Sequence, residues 1–75
     1  MAEVVITIQR YARRGSRIDT LASITVLDPK YAIRRAAQMA SGGRGAIVLA
    51  EGINDQGEVI EAGELACYGT TPVVR

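Results

Sequence analysis

Hydrophobic positions along the first third of the chain recur every second residue. In Glu3–Tyr11, EVVITIQRY, Val4, Ile6 and Ile8 fall on one side and Thr7, Gln9 and Tyr11 on the other, in a run dense in β-branched residues. That alternation predicts a strand with Val4, Ile6 and Ile8 facing inward. Arg17–Leu27 predicts a second strand, with Ile18, Ala22, Ile24 and Val26 on one face and Asp19, Leu21, Ser23, Thr25 and Leu27 on the other. Leu21 and Leu27 on the nominally outer face imply a surface that is not wholly wet. Between the runs, Ala12–Arg17 contains Gly15 and Ser16, the turn chemistry of a hairpin loop.

From Asp28 the period changes. The stretch Asp28–Gly45, DPKYAIRRAAQMASGGRG, carries the signals of a helix with both its ends. Asp28 can accept from the first free N–H groups, and Pro29 suits the first helical position because it has no N–H to lose. Gly42 and Gly43 supply left-handed backbone at the far end, where Arg44 meets the negative pole of the dipole. At 100° per residue, Ile33, Ala36, Ala37 and Ala40 share one side, with Ala32 and Met39 beside them. Lys30, Arg34, Arg35, Gln38 and Ser41 lie opposite, and Tyr31 falls on the polar side next to Arg34 and Arg35. An inner face made mostly of alanine brings the helix close to its partner layer but supplies little apolar area, so the larger core residues must come from a sheet.

Ala46–Ile53, AIVLAEGI, opens as a continuous apolar run and predicts a strand buried on both faces or central in the sheet. Asn54–Gly57, NDQG, is a turn leading to a last strand over Glu58–Tyr68, with a bulge or bend expected at Ala62–Gly63. Thr70–Arg75, with Pro72, reads as a tail or a short edge segment. The expected architecture is one α+β domain over residues 1–75, of ββαββ order: an antiparallel sheet of about four strands with one helix packed on one face.

Charge divides the chain in two. Through Arg44 there are eight cations against three anions, +5, and from Gly45 onward one cation against five anions, −4. With 75 residues, no Phe or Trp and three Tyr, the core must be aliphatic and small, and a homodimer that buries the second sheet face is expected to supplement it. The single cysteine, Cys67, excludes an intrachain disulfide and points to a reducing, cytoplasmic setting. The opening MAEVV lacks the features of a signal peptide, and no apolar run approaches a membrane span.

The chain contains no histidine, which removes the commonest general base and metal ligand. Cys67 has neither a His nor a second Cys to act with and reads as a small strand residue. Glu58, Glu61 and Glu64 stand three apart, so an extended strand sends Glu61 to the face opposite the other two. They read as a solvated acidic edge. Gly42-Gly43-Arg44-Gly45 has the GxxG spacing of nucleotide clamps, but such a loop joins two helices, and a phosphate cradle needs a helix N-terminus; helix capping explains the glycines.

No enzyme, cofactor, metal or small-molecule substrate is therefore expected. The strongest local signal is Arg10, Arg13, Arg14 and Arg17, four guanidinium groups within one hairpin. Together with Tyr31, Arg34 and Arg35 on the helix they form a candidate surface for nucleic acid or an acidic partner protein. The alternative expectation is a protein-interaction or inhibitor module that works through the exposed sheet face or the acidic second hairpin, without nucleic acid.

Overall fold

The computed structural model describes residues 3–72. Five strands and one helix follow in the order β1 (Glu3–Arg14), β2 (Arg17–Thr20), β3 (Ile24–Val26), α1 (Pro29–Met39), β4 (Arg44–Ile53) and β5 (Val59–Gly69). All strand pairs are antiparallel. β2 and β3 line one side of β1, β4 lines the other, and β5 lies outside β4, giving a small α+β domain with one helix against the sheet.

The first hairpin is longer and tighter than its sequence suggests. β1 runs on through Arg14, and the turn shrinks to Gly15 and Ser16, with Gly15 at φ +63°. Past that turn the second run is interrupted at Leu21–Ser23. Tyr11 pairs with Thr20, but Ile8 pairs with Ile24, so the second side carries one extra residue between those two pairs. A one-residue offset exchanges the faces. Ile18, opposite Arg13, therefore lies on the sheet face away from Ile24 and Val26, contrary to the alternation read from sequence. The interruption is held by β1 side chains: Gln9 Nε2 donates to Leu21 O at 2.9 Å and Arg10 Nε to Ala22 O at 2.9 Å.

β1 and β4 pair without a break from Glu3–Ile53 to Ala12–Arg44, so even-numbered residues of both strands face α1. Ile6, Ile8, Ala46 and Val48 form the core there with Ala32 and Ala36, and Ile24, Val26, Ile33, Met39, Ala50, Ala66 and Tyr68 pack around them. Among the described residues only Ile8 and Val48 are both large and fully buried. The buried side of α1 is centred on the Ala32–Ala36 pair, which turns Ala37 out to solvent, where the projection places it inside. Val4 also departs from its pattern: it is 71% exposed. Eleven helical residues rise about 16 Å, against about 40 Å for the twelve of β1, so the helix covers only the middle of its sheet face.

Asp28 caps α1, its Oδ1 accepting from Lys30 N–H at 3.0 Å, and Pro29 follows at the first position, both as the sequence indicates. The helix ends at Met39; Gly42 (φ +61°) and Gly43 (φ +81°) form the turn into β4 that Arg44 N–H closes onto Ser41 O at 3.1 Å. Asp28→Ala is expected to cost about 1 kcal/mol, read as a lower urea midpoint with an unchanged m value. In β5 the register shifts twice, leaving Leu65 and Ile60 unpaired on either side of Ala62–Gly63 rather than bending at that pair. Thr70–Pro72 is not strand, and residues 73–75 of the expected tail lie outside the described residues. Among the described residues no helix is long and apolar enough to cross a membrane.

Candidate anion-binding surface

The antiparallel arrangement turns the charge division of the sequence into a division in space. The β1–β2 turn, the C-terminus of α1 and the start of β4 share one end of the molecule; the β4–β5 turn and the N-terminus of α1 share the other. The longest dimension is 43 Å. Arg10, Arg13, Arg14, Arg17 and Arg44 lie toward the first end, and Glu3, Asp55, Glu58 and Glu61 toward the second. Each pole of the helix dipole thus sits at the end whose side chains complement it.

Strand register sorts the arginines further. Arg10, Arg14 and Arg17 lie on the helix side of the sheet, because Arg10 and Arg14 are even-numbered β1 positions and Arg17 pairs with Arg14. Arg44, paired with Ala12, joins them there, whereas Arg13, paired with Ile18, lies on the opposite face. Among the described residues Asp19 is the one carboxylate in the group: Arg14 Nε stands 2.9 Å from its Oδ2, and Arg17 Nη2 stands 3.7 Å from its Oδ1. Both arginine side chains stay at least 70% exposed, so these contacts orient the guanidinium groups and add little stability. Four cations against one anion leave a surplus of three charges.

Arg10 is anchored through Nε by the Ala22 carbonyl, which leaves its terminal nitrogens free to turn outward. Between this arginine and Arg44 lies an open cavity of about 70 Å³, closed by Tyr11, Leu21, Met39 and Gly45. Its size suits about two waters or one oxyanion group. Leu21, at the interrupted β2–β3 edge, lines this cavity while its N–H donates to Arg10 O at 2.9 Å.

The candidate residues on the helix are dispersed. Arg34 and Arg35 are exposed on α1, within about 8 Å of axial rise from its last residue, and extend the positive surface down the helix. Tyr31, 49% exposed, lies in the first turn, toward the acidic end and away from the hairpin. Arg44 was not among the residues the sequence singled out, because 27 positions separate it from Arg17 and only the β1–β4 register brings the two together. The signal available in sequence was its place at the start of a strand that must pair with β1.

The second hairpin keeps its carboxylates apart. Glu61 pairs with Gly52 on the helix side and Glu64 with Leu49 on the other, as the spacing requires, whereas Glu58 precedes β5 and the register shift at Ile60 breaks its alternation with Glu61. Among the described residues no three His, Cys, Asp or Glu side chains gather in the manner of a metal site. Cys67 lies in β5 as expected but is exposed, its Sγ 3.3 Å from Thr71 Oγ1. Comparison with protein-family models, with curated proteins and with solved structures finds no match for this chain.

Proposed function

We propose that this chain is a non-catalytic binding module that recognises the phosphate backbone of a nucleic acid through Arg14, Arg17 and Arg44, with Arg10 at their centre. The reading rests on one observation: the fold gathers four guanidinium groups from three strands onto one side of one end and, among the described residues, gives them a single carboxylate. Guanidinium forks match phosphate oxygens in plane and pairwise, and a projecting two-stranded ribbon can follow a duplex backbone or enter its groove. The acidic end repels the same ligand, so the field itself orients the encounter.

Binding of a fluorescent oligonucleotide, followed by anisotropy over a salt series, tests this reading. Three phosphate contacts give a log–log slope near −2.7 for duplex DNA, since each contributes about −0.9. Arg14→Ala and Arg44→Ala are each expected to reduce the slope by about one unit, while Arg13→Ala, on the other face, leaves it unchanged. Absence of binding at 50 mM salt rejects the proposal. Capture of an acidic protein in its place, abolished by the same two substitutions, would reassign the surface to a protein partner.

A further inference from the structure

The odd-numbered residues of β1 and β4 form a second sheet face, away from α1. Val5, Ile47, Leu49 and Ile53 lie on it, each only partly exposed. Thr7 Oγ1 donates to Glu51 Oε1 at 2.9 Å across the two central strands, and Glu64 stands opposite Leu49 at the β5 side of the same face. No helix or strand of the described residues lies over this face; Thr70 and Thr71 cross its edge beside Gly45 and Cys67.

We infer that a second copy of the chain covers this face, the two sheets packing antiparallel about a twofold axis that crosses the strands near Ile8 and Val48. Three observations choose this occupant and this direction. Among the described residues the core beneath α1 contains only two large, fully buried side chains, so a second apolar layer supplies what the alanine-lined helix does not. The longest two dimensions, 43 and 24 Å, bound a face of about 1,000 Å², against the ~800 Å² per partner typical of a stable complex.

Charge then sets the direction. Arg13 and Glu3 both lie on this face, each five residues from Ile8 in opposite directions along β1. A twofold axis at Ile8 lays β1 over β1 and brings Arg13 against the partner's Glu3, twice by symmetry. A parallel arrangement would stack the two basic ends instead, at a cost in repulsion. The contact is isologous and closes at two copies. It also leaves Arg14, Arg17 and Arg44 on the outer, helix side of each sheet, free for the ligand proposed above.

Sedimentation equilibrium is expected to give twice the 8.0 kDa chain mass. Leu49→Lys and Ile47→Lys, which place an ammonium group in the apolar strip, are expected to halve that mass while the far-ultraviolet circular dichroism stays native. Arg13→Glu and Glu3→Arg are each expected to weaken the dimer at least tenfold, and the double exchange to restore it. Direction is read by electron spin resonance with a nitroxide at Ser16→Cys in a Cys67→Ser background. Antiparallel packing separates the two labels by about 50 Å, from 3.4 Å per residue on either side of the axis. A mass of 8.0 kDa at every concentration, a dimer indifferent to both lysine substitutions, or labels within about 20 Å would each overturn the inference. None of these readouts depends on nucleic-acid binding, so the two proposals fail separately.

Discussion

Gly45→Ala is expected to destabilise the protein by about 3 kcal/mol, far more than one methyl group suggests. Gly45 is buried where β4 meets the chain as it leaves β5, and a Cβ there would overlap the backbone carbonyl of Thr70. Backbone cannot turn aside as a side chain does. Relief therefore requires Thr70 to leave its hydrogen bond to Arg44 O, 3.1 Å long, and the Gly45–Gly69 pair to open with it. At an m value of about 1 kcal/mol per molar, the urea midpoint falls by about 3 M. Gly63→Ala is the control: nothing lies within 4 Å of its added Cβ, and its φ is not positive. That variant is expected within about 0.5 kcal/mol of the parent. Equal effects at the two glycines would show that the cost comes from strand glycines in general rather than from this close approach.

Ile8→Ala is expected to cost about 4 kcal/mol, toward the upper part of the range for truncating a buried aliphatic side chain. Ile8 is fully buried at the crossing of β1, β3 and β4, opposite Ile24 on one side and Val48 on the other, beneath Ala32 and Ala36. The helix face above it is alanine, which has no side-chain length with which to collapse into the cavity. A domain of this size holds roughly 4–11 kcal/mol in all, so thermal unfolding is expected to begin at least 10 °C lower. Val4→Ala removes carbon from the same strand and the same alternating set, but at a position 71% exposed. Its midpoint is expected to move by less than about 3 °C, and a comparable loss from both substitutions would contradict the partial cover that α1 gives the sheet.

These two comparisons mark where pattern stops being informative. Val4, Ile6 and Ile8 are equivalent by alternation; the length of α1 and its place over the sheet separate them. Gly45 and Gly63 are both glycines in strands, distinguished by what the chain does 25 residues later at Thr70. The second strand shows the limit most plainly, since one added residue between Thr20 and Ile24 moves Ile18 to the other face. Nothing local in RIDTLASITV marks that break, because it depends on Gln9 and Arg10 of β1 capturing the carbonyls of Leu21 and Ala22.

The arginine surface was legible in part. Four guanidinium groups close together in sequence are visible without coordinates, and a two-residue turn brings Arg14 and Arg17 face to face as local chemistry requires. Arg13 left the set because strand residues alternate, and Arg44 entered it through a partner strand 30 residues away. Tyr31 fell toward the acidic end because its helix runs in the same direction as β1, so its first turn lies at the Glu3 end.

What the amino-acid sequence determined by itself is whatever acts within a few residues: the Asp28–Pro29 helix start, the glycine turns, the alternation of Ile6 and Ile8 in β1, the order of β runs around a single helix and the opposite charge of the two halves. The tertiary structure alone decided which face each arginine occupies, that the two charged halves lie toward opposite ends of the molecule, and which glycine tolerates no side chain. The physical reason is that these depend on register between strands distant in the chain, and a single-residue offset in that register exchanges faces without changing any local preference.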